Sequence, residues 1–378
     1  MANATVKKHH EPLIQIAKRT DMAGWKAWLI RIAAILIGFF AMSFVLTFLA
    51  SASAEKTLTM GDVLERMKLS MFGRVFEGGK ETQMWIFFEK SAVLLCLSLA
   101  LAPAFKMKFW NCGAEGQALF GGLMGLLCMI NLGGTLPEEA LVPIVILASI
   151  LGGALWAVIP AIFHAKYGTN ETLFTLMMNY VATQLVAYCL FVYGTNSNVI
   201  TKVKTGALPV IDNNPKLLNV IIVVTLTVLM FVYMKYSKQG YEISVVGESQ
   251  NTARYIGINV KKVIVRTMLI SGALCGVAGM LLVAGGSQSI NTDTVGGQGF
   301  TAIMVAWMGK FNPFIIAVMS VLVVALQVGI GGVADANFLN KSYGDVMIGV
   351  VILCLVACEF FIQYSVKIRR NKKGGDEA

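Results

Sequence analysis

Apolar runs about as long as a bilayer is thick recur along this chain, and they leave it few ways to fold. A hydrocarbon core of about 30 Å is crossed by a helix in about 20 residues. Runs of that order occur at Ala27–Ala50, Trp85–Phe105, Ala140–Phe163, Thr172–Tyr193 and Val263–Gly286. Lipid offers the backbone no hydrogen bonds, so such segments must satisfy their own N–H and C=O groups and are read as helices. Composition agrees: 56% of residues are hydrophobic and 14% charged, where soluble domains hold about 45–50% and about 25%. The expected fold class is an all-α polytopic membrane protein.

Ten transmembrane helices are expected, at about 27–50, 85–105, 111–132, 140–163, 172–193, 217–234, 263–286, 300–308, 314–330 and 346–361. They form a transmembrane body over 26–363, with a polar segment at 235–262, a tail at 1–25 and a basic tail at 364–378. The first run ends in Ala50-Ser-Ala-Ser-Ala54 and so imitates a cleavable signal. It exceeds the apolar core of about 7–15 residues that such signals carry, and reads as a retained span. Residues 51–84 form a polar excursion with room for a surface helix from Met60 to Phe76. Near the C-terminus, Gly309-Lys-Phe-Asn-Pro313 interrupts the apolar pattern and predicts two spans joined by a tight turn at Lys310.

The net charge of +10 raises the question of nucleic acid. The basic residues flank apolar runs instead of forming a stripe interleaved with aromatic rings, which disfavours nucleic acid and favours membrane lipid. Lys7, Lys8, Lys18 and Arg19 precede the first span, and Lys367, Arg369, Arg370, Lys372 and Lys373 follow the last. An even number of spans puts both basic termini in the cytoplasm, as the positive-inside rule favours.

Several chemistries lack their residues. The seven cysteines contain no Cys-x-x-Cys, and Cys354 and Cys358 have no nearby histidine, so no metal site is expected. Gly79-Lys80 is followed by Glu81, and Gly309-Lys310 by Phe311; neither is a Walker A loop. No His-Glu-x-x-His occurs. Neither an ATPase site of this kind, a metalloprotease centre nor a cofactor site is expected. Acidic groups such as Glu89, Asp293, Asp335, Asp345 and Glu359 fall near span ends, which disfavours an autonomous ion-coupled carrier. Glu115 is the exception.

Polar groups inside apolar runs mark the candidate pathway. Asn111-Cys-Gly-Ala-Glu-Gly-Gln117 opens the third span after a basic turn. A carboxylate there must be paired or hydrated, so Glu115 either faces a cavity or neighbouring helix, or caps its helix at the interface. Asn179 and Tyr180 lie in the fifth span, and Gly297-Gln298 opens the eighth as Gly116-Gln117 opens the third. Between spans six and seven, Ser249 can cap a short helix that places Ala253, Ile256 and Gly257 on one side.

These motifs resemble one family. Asn111–Gln117, the segment His164–Tyr180 with its Gly-Thr-Asn-Glu, and "GESQNTARYIGINVKK" from Gly247 are similar to permease subunits of bacterial ABC importers, in the ribose- and nucleoside-type branch. The resemblance touches 111–122, 164–182, 240–280 and 296–313. Cys112 departs from it, standing where an aliphatic residue is expected. The resemblance implies a permease of the bacterial inner membrane that partners an ABC ATPase, a second permease chain and an extracytoplasmic substrate-binding lipoprotein. It implies a substrate pathway bordered by Asn111, Glu115, Gln117, Asn179 and Gln298, and an ATPase-coupling segment containing Gly247, Glu248, Arg254 and Gly257. Spans 2–5 and 7–10 would form an inverted pair. A nucleoside is the implied solute; the alternatives are a ribose-type sugar permease and, in another class, a stand-alone carrier or channel.

Overall fold

The computed structural model describes residues 81–194 and 216–336 continuously, with 200, 203, 205–211 and 214 between them. It also describes 14–18, 364–368 and scattered helical positions at 25–65 and 346–362. The chain divides into two units: 1–68 with 330–378, and 69–329.

In the first unit, β1 (Ile14–Lys18) pairs antiparallel with β2 (Tyr364–Ile368), Ile14 opposite Ile368 and Lys18 opposite Tyr364. Ala34, Cys358 and Ile362 form a small buried cluster with Ile30 against it. The expected first and tenth spans are described only in part, and the expected surface helix at 60–76 lies outside the described residues except at 61 and 65.

The second unit is helical. Its first helices are α1 (Glu81–Lys106), α2 (Ala114–Leu132), α3 (Glu138–Tyr167), α4 (Glu171–Tyr193) and α5 (Leu217–Tyr236). Two short helices follow, α6 (Lys238–Glu248) and α7 (Gln250–Tyr255), then α8 (Val260–Leu282), which runs on into a π-turn at Val283–Ser287. Last come α9 (Gln298–Met308) and α10 (Pro313–Ala336). Among the described residues six helices are long and apolar enough to cross a membrane: α1 to α5, and α8 with its π-turn. Side-chain caps fix several starts: Asn170 accepts from Leu173 N–H at 3.0 Å, and Asn259 from Lys262 N–H at 3.1 Å.

The core is a seam of glycines among α2, α3 and α8. Water does not drive helices together in lipid, so close backbone approach must hold them. Gly272 and Gly276, one turn apart on α8, meet Gly153 of α3, and Gly121 of α2 meets Gly276. A Cβ on Gly153 would stand 2.6 Å from the Gly276 nitrogen, and one on Gly121 2.6 Å from the Gly276 Cα. Around the seam, Leu94, Leu97, Leu119, Leu126 and Met268 are fully buried.

The break expected near Lys310 is present. Lys310 and Phe311 adopt φ of 49° and 59°, a left-handed turn between α9 and α10. At its other end α9 follows Gly296 and Gly297, at φ of 62° and 75°. Its 11 residues extend about 16 Å, half of a bilayer crossing.

The polar segment before α8 is more ordered than the one short helix expected there. α6 is capped by Ser237 Oγ, which accepts from Gly240 N–H at 2.9 Å. Ile243 and Val246 are buried in a cluster with Ala104, Met107, Phe109 and Met268. The segment therefore clasps the turn between α1 and α2 instead of hanging free.

Candidate functional site

The loop from Met107 to Gly113 and the start of α2 form a dry polar junction. Asn111 and Gln117 are both buried and bind each other twice: Gln117 Nε2 donates to Asn111 Oδ1 at 3.0 Å, and Asn111 Nδ2 to Gln117 Oε1 at 3.3 Å. Asn111 Nδ2 also donates to Ser271 Oγ of α8, at 3.2 Å, and Asn111 Oδ1 accepts from Gly113 N–H. From α4, Asn179 Oδ1 accepts from Gly116 N–H at 2.9 Å, while its Nδ2 donates to Cys112 O at 2.9 Å. Thr175 Oγ1 accepts from Cys112 N–H at 3.1 Å. The first N–H groups of a helix have no intrahelical partner, and here α4 and the Asn111 side chain supply them.

Glu115 points elsewhere. Its Oε1 accepts from Gly297 N–H at 2.8 Å and its Oε2 from Gly299 N–H at 2.7 Å. One carboxylate thus takes two N–H groups at the start of α9, where the helix dipole also favours negative charge. Contact is close because Gly299 has no side chain: a Cβ there would lie 2.5 Å from the Glu115 nitrogen. The starts of α2 and α9, each carrying a Gly-Gln pair, therefore meet head to head.

Gln298 lines a cavity of about 540 Å³ between α1, α5, the π-turn and the start of α9. Its Oε1 is buried without a partner among the described residues. Glu89 of α1 and Lys216, which precedes α5, face each other across one wall, Nζ to Oε2 at 2.6 Å. Asn219, fully buried on α5, donates from Nδ2 to Glu89 Oε1 at 3.3 Å, and its own Oδ1 has no partner among the described residues. Sequence reasoning did not assign Lys216 or Asn219. The signal existed, since Asn219 and Glu89 are polar residues set in apolar helices. Asn111, Glu115, Gln117 and Asn179 are not among the residues lining this cavity; their hydrogen bonds join the start of α2 to α4, α8 and α9.

At the opposite end of the bundle, α6 and α7 form a second face. Gly247 is buried against the Lys106–Met107 backbone, and Lys108 Nζ donates to Glu248 O at 3.5 Å. Ser249 Oγ accepts from Thr252 N–H at 3.3 Å, the cap expected. Ala253 is fully buried in this chain's own core, whereas Arg254, Ile256 and Gly257 are exposed and Gly257 takes φ of 84°. Tyr255, which sequence reasoning passed over, is 92% exposed. Arg266 of α8 pairs with Glu242 of α6 at 2.9 Å and ties this face to the bundle.

Residues 84–356 match the family described as the permease component of branched-chain amino acid transport systems. A glucose ABC transporter permease protein of Haloferax volcanii is 29% identical over 303 residues, covering 76% of this chain and 79% of the relative. A guanosine ABC transporter permease protein of Bacillus subtilis is 29% identical over 293 residues, covering 74% and 81%. A nucleoside ABC transporter permease protein of Lactococcus lactis subsp. cremoris is 26% identical over 285 residues, covering 71% and 78%.

Proposed function

We propose that this chain, which belongs to the permease-component family of branched-chain amino acid transport systems, conducts a nucleoside. It is the membrane permease subunit of an ABC importer, a multi-pass protein of the bacterial inner membrane whose ATPase is a separate subunit. It works with that ATPase and with a substrate-binding protein. The observation that carries the substrate reading is the cavity beside Gln298, lined by both polar and apolar groups and large enough for one nucleoside. Two of the three relatives above are named for guanosine or nucleosides, which supports the same choice. The glucose permease favours a second reading, a sugar as solute.

In this reading the chain has ten spans with both termini in the cytoplasm. The cavity opens outward, toward a lipoprotein that delivers the solute, and a second permease chain completes the pathway. Spans 2–5 and 7–10 form an inverted pair, a view supported by the meeting of α2 and α9 at their N-termini. Glu115 and Gln298 border the route, while Asn111, Gln117 and Asn179 hold the helices that shape it. The face formed by Glu248, Arg254 and Gly257, with Tyr255 at its centre, receives the ATPase, and Gly247 seats that face on the bundle. Uptake of labelled guanosine, uridine and glucose by cells expressing the complete transporter, with and without this chain, tests the proposal. Nucleoside uptake that depends on the chain supports it; chain-dependent uptake of glucose alone overturns it.

A further inference from the structure

The wall of the cavity has a composition that the substrate reading leaves unused. Glu89, Asp293, Lys90 and Lys216 are the charged groups lining it among the described residues. Two carboxylates and two ammonium groups leave no net charge, which suits a neutral solute and disfavours a phosphorylated one. Ile86, Val93 and Leu282 add apolar surface to the lining, and Ser287, Asn291 and Thr294 add hydroxyl and amide groups. A neutral molecule with both apolar and hydroxyl-bearing parts matches that mixture.

We infer that Glu89 and Lys216, with buried Asn219 holding the Glu89 carboxylate, form a subsite for the vicinal diol of the solute's sugar, an inference that takes its probe from the nucleoside reading above. Glu89 receives one bond from Lys216 at 2.6 Å and one from Asn219 at 3.3 Å. A carboxylate has about four acceptor positions, so about two remain; Lys216 has three N–H donors and spends one on Glu89. Each hydroxyl of a diol can donate to the carboxylate and accept from the ammonium group, so adjacent hydroxyls match the pair twice. The ion pair is largely buried, at 13% and 21% exposure, where charge-assisted bonds to a neutral donor gain most. The π-turn keeps this wall open. A side chain at Gly286 would place its Cβ 3.1 Å from Glu89 Oε1, and one at Gly285 would run into Asn219. Such bulges recur at functional sites because they release a helix from its regular packing.

The test is equilibrium binding of labelled uridine and 2′,3′-dideoxyuridine to the purified permease–ATPase complex without the binding protein. Removing that protein isolates selection by the membrane chain. Uridine is expected to bind the wild type about tenfold or more tighter than the dideoxy analogue, as losing bonds to a charged group implies. In the double variant Glu89→Gln, Lys216→Gln, which leaves no lone buried charge, uridine affinity is expected to fall to within about twofold of the analogue's. No uridine binding to the wild type, equal binding of the two nucleosides, or unchanged discrimination in the double variant would each overturn the diol subsite. The wild-type comparison decides the matter even if the variant does not assemble. Failure of the nucleoside reading shows separately, as chain-dependent uptake of glucose alone by the complete transporter.

Discussion

Glu115 and Gly299 belong to different helices, yet a carboxylate oxygen of the first accepts the backbone N–H of the second at 2.7 Å. With the companion bond from Gly297, this carboxylate anchors the start of a helix too short to span the bilayer and bounded at both ends by left-handed turns. Glu115 is thus a cap, but of another helix than its own.

Replacing Glu115 tests that anchor. Glu115→Gln keeps one acceptor oxygen and loses the charge; Glu115→Ala loses both bonds. Hydrogen bonds to a charged group are worth about 1.5–3 kcal/mol. Uptake by the complete transporter is expected to fall about tenfold in Glu115→Gln, with normal membrane insertion and co-purification of the ATPase. Glu115→Ala is expected to be worse in uptake and to lower the melting temperature. Wild-type uptake by Glu115→Ala would mean that the position of α9 does not matter to transport.

The glycine seam makes a stability prediction with a built-in control. Gly276→Ala forces a methyl against the Ser149–Ile150 backbone, which cannot yield by turning a side chain. Overpacking costs about 1–3 kcal/mol, and backbone neighbours put this site at the upper end. Gly134→Ala meets nothing within 4 Å and is expected to be neutral. Thermal unfolding of the purified complexes compares them, and equal melting temperatures would contradict the seam.

Across α7, neighbouring residues are expected to behave oppositely. Tyr255→Glu and Arg254→Glu change an exposed surface and should leave folding intact while lowering ATPase co-purification or uncoupling hydrolysis from uptake. Ala253→Trp, aimed into the core, should instead reduce the amount of folded protein by a cost of about 1–3 kcal/mol or more. Pull-down of the ATPase together with fluorescence-detected size exclusion separates the two outcomes. Normal coupling in both surface variants would remove α7 from the ATPase interface.

Topology is checked with single cysteines in a cysteine-free background. Tyr255→Cys is expected to react with impermeant maleimide only from the cytoplasm, and Val210→Cys, 58% exposed in the loop before α5, only from outside. Labelling of both positions from one side would overturn the ten-span arrangement.

Six of the spans were legible because a bilayer imposes one length on apolar runs, and the turn at Lys310 because glycine and proline bracket it. α6 was not. Its apolar residues Ile243 and Val246 are flanked by Gly240 and Gly247, and its partner is the Lys106–Phe109 turn, which no periodicity announces. Asn111, Glu115 and Gln117 stood out as polar groups that lipid would penalise, but their partners did not. Glu115 binds backbone N–H groups 182 and 184 residues away, and a backbone donor carries no residue identity. The expected small face of α7 failed at Ala253 for a related reason: three apolar residues do not say whether the covering body is this chain or another.

The meeting of Gly153, Gly121 and Gly276 also limits how this bundle can deform. Side chains let neighbouring helices shift by exchanging rotamers, but bare backbones have no such slack, and a slide of even an ångström brings carbonyls into collision. A load applied to α8 would therefore pass to α2 and α3 as through a solid plate, without being absorbed by side-chain rearrangement. Such a load would also reach the start of α2, whose Glu115 carboxylate is bonded to the start of α9.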